Sequence, residues 1–147
     1  MIEDPIIETE KVKSLSHRYA VALDTGNDAM WRDLFCDEMI LTSGAAPPRS
    51  LGEVLRMPAV QLARYSKTQH LVSTQLVELN GNSATGTVYC TAHHFLNVSH
   101  IGDRYQSGAC HTFQIVYDDS YLRIDGVWKF SRRQVDVIAR SIWPTQN

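Results

Sequence analysis

No stretch of this 147-residue sequence approaches the roughly 18 consecutive apolar residues of a membrane-spanning helix. The opening Met1-Ile2-Glu3-Asp4-Pro5 also lacks the basic-then-apolar order of a secretory signal. The expectation is a cytoplasmic protein with no membrane partner. An excess of one charge is missing too: 14 Lys and Arg stand against 16 Asp and Glu, a formal −2 that offers no general field for nucleic acid. Cysteine is scarce and odd in number. Cys36, Cys90 and Cys110 have no paired motif spacing, which predicts buried free thiols in a reducing compartment and an unused Asn97-Val98-Ser99 sequon. There is no serine elbow, no glycine-rich phosphate loop, no internal repeat and no low-complexity linker. No cofactor is expected.

What is present is an ordinary globular composition, 44% apolar and 20% charged, at a length that suits one domain over residues 1–147. From about Glu8 to Leu23, Val12, Leu15, Tyr19, Ala22 and Leu23 recur at steps of three and four, the period of a helix with one buried face. Asp24-Thr25-Gly26-Asn27 ends it, and Asn27 or Asp28 can cap a short second helix through Met30, Trp31, Leu34 and Phe35. Met39 to Thr42 reads as a short strand and the proline-containing Ser43 to Ser50 as a loop. Leu51 to Tyr65 predicts a third helix that Pro58 bends or divides.

After Lys67 the period changes to two. Four long strands are expected at about Thr68–Leu79, Ala84–Val98, Gln106–Ile124 and Val127–Ala139, the last two joined by the hairpin signal Asp125-Gly126. Helices followed by hairpins imply an α+β fold, with three N-terminal helices on one face of a curled sheet.

Histidines concentrate in the first hairpin: His70 on one strand, His93 and His94 on the next. Paired residue numbers in an antiparallel hairpin sum to a constant. A Gly81-Asn82 loop sets His70 opposite His93, and an Asn80-Gly81 loop sets it opposite Thr91. Either way His70 shares a face with Tyr89, Thr91 and His93, polar enough to wall a cavity, while Leu71, Val77, Val88, Cys90, Ala92 and His94 face the helices. His93 and His94 then point apart, as do Cys110 and His111, which argues against a metal held by His70, His93, His94 and Asp24. His17 shares a helix side with Asp24, and His100 and His111 read as solvent or loop positions. At the second hairpin the same sum pairs Arg123 with Trp128, Tyr121 with Phe130, and Asp119 with Arg132.

These elements carry a resemblance. Arg18-Tyr19-Ala20, Leu23-Asp24, Trp31 and Leu34-Phe35-Cys36-Asp37, then Thr68-Gln69-His70 with Asn80-Gly81 and Ala84, then Tyr117, Tyr121, Arg123 and Asp125 to Phe130, look like the SnoaL-like branch of the nuclear transport factor 2-like superfamily. The resemblance implies a cone-shaped α+β barrel and assembly into dimers or trimers. Within the branch the pattern is similar to scytalone dehydratase and hexachlorocyclohexane dehydrochlorinase, where an aspartate ending the first helix orients a histidine on the strand after the third. Asp24 and His70 match those places. Arg123 matches a pocket arginine, and His93, ahead of His94, a second pocket histidine. Tyr19 stands where the dehydrochlorinase has lysine, and its pocket tryptophan falls near Leu41; both count against that particular elimination.

A carboxylate bonded to one imidazole nitrogen fixes the tautomer that lets the other nitrogen take a proton. The expectation is a cofactor-independent lyase (dehydratase-like) or isomerase for a small hydrophobic, cyclic or aromatic substrate. His70 is the base, Asp24 its orienting partner, and Tyr19, His93, Arg123 and Tyr89 are the donors available to a substrate oxygen. The alternatives are a non-catalytic small subunit of an aromatic ring-hydroxylating dioxygenase and a ligand-binding protein of the same fold.

Overall fold

The computed structural model describes residues 4–96 and 108–145, so His100 and the Asn97 sequon lie outside the described residues. Asp4 caps helix α1 (Pro5–Thr25) by accepting the Ile6 N–H at 2.9 Å. The stripe predicted from the spacing, Val12, Leu15, Tyr19, Ala22 and Leu23, is buried. Gly26 ends the helix at φ +66°, its N–H returning to the Ala22 carbonyl. Asn27, rather than Asp28, caps α2 (Asp28–Arg32), its side-chain oxygen 3.1 Å from the Met30 N–H.

Helix α2 is shorter than its apolar pattern predicts. Leu34 and Phe35 are buried as the chain turns into strand β1 (Phe35–Ser43), where the Phe130 N–H donates to the Leu34 carbonyl at 2.8 Å. Pairing with the last strand overrides the helical spacing. Arg49–Ser50 forms a short β2 against β1. The expected third helix is divided into α3 (Leu51–Val54) and α4 (Met57–Arg64), with Pro58 buried in the first turn of α4, where a missing N–H costs nothing.

Four long strands follow: β3 (Lys67–Asn80), β4 (Ser83–Leu96), β5 (Ala109–Ile124) and β6 (Val127–Pro144). They pair antiparallel in sequence, and β1 joins β6 in parallel, giving one mixed sheet of order β2-β1-β6-β5-β4-β3. The α+β expectation holds, with the helices packed on a strongly curved sheet. Asp125 and Gly126 both take positive φ, 50° and 80°, the backbone of a tight hairpin turn.

Two irregularities change the arithmetic. In β3, Val72 pairs with Cys90 and Gln75 with Val88, so Ser73 and Thr74 together face the single residue Tyr89. In β6, Tyr121 pairs with Phe130 but Ser120 with Arg132, which leaves Ser131 as an extra residue. Such bulges bend a strand and reverse its alternation beyond that point. The predicted pairs Arg123–Trp128 and Tyr121–Phe130 are present, whereas Asp119 meets Arg133 instead of Arg132.

That shift builds the centre of the molecule. Arg133 and Asp119 have no exposed surface and form a two-pronged ion pair, Nε to Oδ1 at 2.8 Å and a terminal nitrogen to Oδ2 at 2.7 Å. Burial opposes the Arg133 charge, but Asp119 outweighs it and holds the guanidinium protonated. Ser16 on α1 accepts a further bond at 3.0 Å, and the guanidinium lies over the rings of Tyr19, Tyr117 and Phe130 at 4.3, 3.8 and 4.5 Å. Tyr121 donates to Asp119 at 2.9 Å, its ring packed where a Cβ on Gly86 would come within 3.0 Å of it.

Removing one partner of a buried pair strands the other charge. Asp119→Asn or Arg133→Met alone should lower stability by about 3–5 kcal/mol in urea unfolding, and combining Arg133→Met with Asp119→Leu should recover most of the loss.

Candidate active site

The C-terminal end of α1 meets the start of β3. Asp24, half-buried, accepts three hydrogen bonds: from the Thr68 hydroxyl to Oδ1 at 2.8 Å, from the His70 backbone N–H to Oδ2 at 2.8 Å, and from the His70 ring at 2.6 Å between Nδ1 and Oδ1. A carboxylate only accepts, so the proton of neutral His70 sits on Nδ1 and Nε2 keeps its lone pair. Burial alone would raise the Asp24 pKa, but the bonds from His70 and Thr68 outweigh it and leave the carboxyl below its ordinary value. The side chain of His70 is 5% exposed.

The histidine that joins His70 is His94. Before the β3 bulge Thr68 pairs with His94 and His70 with Ala92, so His70 and His94 share the concave face and their rings meet edge to face at 5.4 Å. The uninterrupted register that places His93 with His70 is therefore corrected by one residue. His94 takes the place for which the resemblance offered His93 first. Its ring packs on Tyr65 at 4.6 Å and Phe113 at 4.9 Å, and its buried Nδ1 has no hydrogen-bond partner among the described residues. Burial, together with the charges that His70 and His111 can carry, lowers the His94 pKa to about 4, so the ring is neutral at pH 7. His94 and Tyr65 form one wall of a cavity of about 380 Å³ whose other wall is Arg56, Met57, Gln61 and Arg64 on α4 and its approach. His70 stands one ring behind His94.

The other expected residues lie elsewhere. His93 and Tyr89 are on the convex face, where His93 Nδ1 is 2.9 Å from the Thr112 hydroxyl and 3.6 Å from the Cys110 sulfur, and Tyr89 is 49% exposed. Leu71 is on that face as well, by the same slip. Tyr19 is buried among Trp31, Tyr117, Phe130 and Arg133, in the core beneath α1. Arg123 is at the opposite end of α1, its Nε 3.4 Å from Glu8 Oε2, which also accepts the Trp128 ring N–H at 2.7 Å. Sixteen helical positions, roughly 24 Å, separate Glu8 from Asp24. The resemblance placed this arginine in the pocket; its hairpin is instead tied to the first turns of α1. His17 is exposed and bonded to Gln75 at 3.1 Å. His111 is a half-buried strand residue stacked on Phe113 at 4.2 Å, not a loop position. Cys36, Cys90 and Cys110 are buried and free, as their number and spacing predict.

Tyr65 and Gln61 were not singled out by the sequence, and Thr68 was named only within the Thr68-Gln69-His70 match, with no role of its own. Tyr65 closes the third-helix pattern and Thr68 stands two before His70, the same-face spacing of a strand, which is the signal that points to them.

A model of the SnoaL-like domain matches residues 5–134. The chain belongs to that family. No curated protein matches this SnoaL-like chain in sequence. Among solved structures it is similar to the Kfla4162 protein of Kribbella flavida, with 19% identity, TM-score 0.84, and 94% of this chain and 95% of that one covered. It is also similar to a protein assigned as a scytalone dehydratase from Novosphingobium aromaticivorans, with 15% identity, TM-score 0.80, and 96% and 91% covered. A type 2 hexachlorocyclohexane dehydrochlorinase (LinA) is 16% identical, TM-score 0.81, with 94% and 90% covered. At these identities the likeness is one of fold.

The neutral His94 makes a pH prediction. Unfolded, it takes a proton near pH 6.5; folded, it resists until about 4, so the unfolded chain holds more protons between these values. The stability it contributes is complete above pH 6.5 and is lost as the pH falls towards 4. Asp24 loses its contribution only further down, below its ordinary 3.8. His94→Phe should therefore reduce the stability lost between about pH 7 and pH 4.5 by on the order of 2 kcal/mol, read from urea midpoints across that range.

Proposed function

We propose that this SnoaL-like protein is a cofactor-independent lyase, dehydratase-like, or an isomerase, acting on a small, largely hydrophobic cyclic or aromatic molecule. The observation that carries this reading is the Asp24–His70 pair: both carboxylate oxygens are used on His70, one on its ring and one on its backbone N–H. The ring cannot rotate without breaking the Nδ1 bond, so Nε2 keeps one direction, and a positioned base is typically worth roughly 10²- to 10⁴-fold in rate. In the proposed reaction the C–H bond next to a carbonyl gives its proton to His70 Nε2. The electron pair left on carbon either expels hydroxide, which leaves as water with a returned proton, or shifts a double bond. His94, neutral and on the cavity side of His70, offers a donor or an acceptor to the substrate oxygen without adding charge.

The resemblance to dehydratase and dehydrochlorinase structures supports the eliminating branch of this chemistry. An assembly subunit or a carrier needs no carboxylate locked onto a histidine beside a cavity. Tyr19, His93, Arg123 and Tyr89 are withdrawn from the proposed substrate contacts: His93 and Tyr89 are on the face opposite His70 and His94, while Tyr19, in the core, and Arg123, at the far end of α1, do not line the cavity beside His94.

The test is proton exchange. Cyclic ketones and β-hydroxyketones incubated with the protein in deuterium oxide should gain deuterium next to the carbonyl, or lose water, as read by mass spectrometry. His70→Ala should abolish this with the fold intact, and Asp24→Asn should slow it by about 10²-fold or more. Undiminished exchange in His70→Ala removes the proposal.

A further inference from the structure

The cavity beside His94 is not electrically neutral. The chain as a whole carries a formal −2, yet Arg49, Arg56 and Arg64 line this one opening, with Glu53 as the single acid on it among the described residues. Glu53 is already engaged, its carboxylate accepting the Ser50 N–H at 3.1 Å as the reciprocal cap of α3. Among the described residues none of the three arginines makes an ion pair. Arg64 lies 5.3 Å from the Tyr65 ring, which is itself in contact with His94.

The lining of the same cavity also holds unsatisfied polar groups. His94 is 6% exposed, lines the cavity, and leaves Nδ1 without a partner; Gln61 on the facing wall likewise leaves Oε1 unsatisfied. A buried polar atom without a bond costs about 1–3 kcal/mol, and two residues that line this one cavity each carry such an atom just beneath its surface. Gln61 can turn its amide to present either end.

We propose that the molecule bound here is anionic: a cyclic or aromatic body bearing a carboxylate, with the carboxylate met by Arg56 and Arg64 at the mouth and the ring directed inward to His94. Arginine suits this because its planar fork matches a carboxylate with two parallel bonds, and a cationic mouth on a net-negative protein concentrates anions where they are used. The proposal deepens the reading of His70 as a base and rests on the same cavity, but it makes a claim about binding that needs no turnover.

The test uses two probes of equal shape, 2-naphthoate and 2-naphthamide, titrated calorimetrically into the wild-type protein, into the Arg56→Gln/Arg64→Gln double variant and into His70→Ala. Naphthoate should bind about ten-fold more tightly than the amide at low salt, and the margin should shrink as salt is added. In the double variant the margin should fall to about two-fold while the amide binds as before, which also shows that the cavity has survived the substitutions. Equal affinities in the wild type, or a margin untouched in the double variant, overturn the anionic class alone. Binding of neither probe overturns it together with the cavity reading. A margin kept in His70→Ala supports the anion site even if that protein and the wild type turn out equally inert towards exchange, an outcome that would remove the catalytic reading and leave this one standing.

Discussion

A guanidinium with no exposed surface has to be paired, and Arg133 organises the molecule around that requirement. Its partner Asp119 lies on the neighbouring strand, Ser16 and Tyr19 come from α1, and Leu41 stands beside it on β1 in parallel. Helix, both sheet halves and the aromatic core thus meet at one charge. Other features of the sequence serve it. Gly86 leaves room for Tyr121, whose hydroxyl bonds the same aspartate, and the extra residue Ser131 puts position 133 rather than 132 inside the cone. Moving that bulge by one residue would place Arg132 in the core and Arg133 in water.

The same logic separates what could be read in the sequence from what could not. Element types, the Gly26 and Asn27 caps, the Asp125-Gly126 turn and the division of the third helix near Pro58 follow from local stereochemistry, and local stereochemistry is written in neighbouring residues. The Gly81-Asn82 loop was legible as well: Asn80 pairs with Ser83, as one of the two expected registers requires. The bulge at Ser73 and Thr74 was not. Those two small polar residues on a polar strand leave no mark of an insertion, because either fits the convex face, and the reversal shows only in distant partners. One unread residue therefore turned His70 to the face of His94 rather than His93 and sent Leu71 outward to the face of Tyr89. Arg123 was misplaced for a different reason. Its hairpin partner Trp128 was assigned correctly, but the acid that anchors both, Glu8, is more than 100 positions away in the chain.

Asp24 and His70 were legible through the resemblance, which matched a helix-end aspartate to a strand histidine. A helix end and the first turns of a strand are fixed by their own caps and by the chain that joins them. The β3 bulge lies between the hairpin turn and His70 and turns His70 to the concave side under the helices, where Asp24 meets it.

The position of Asp24 is itself an argument. A carboxylate near the C-terminal end of a helix faces the negative end of the dipole, and α1 has no basic residue in its last turn to offset this. Half-burial adds to the cost. Three donors, Thr68, the His70 backbone and the His70 ring, reverse the balance so far that the carboxyl ends below its ordinary pKa. Two of those three belong to one residue, so the stabilisation of Asp24 and the orientation of His70 are a single set of bonds. Beside them the low dielectric holds His94 neutral. At pH 7 the arrangement is then an ionised carboxylate, a histidine locked through one nitrogen, and an uncharged imidazole at the cavity wall. In the proposed reaction a proton on His70 would have its charge balanced directly by Asp24, whereas the same proton on His94 would sit in an apolar wall of Tyr65 and Phe113.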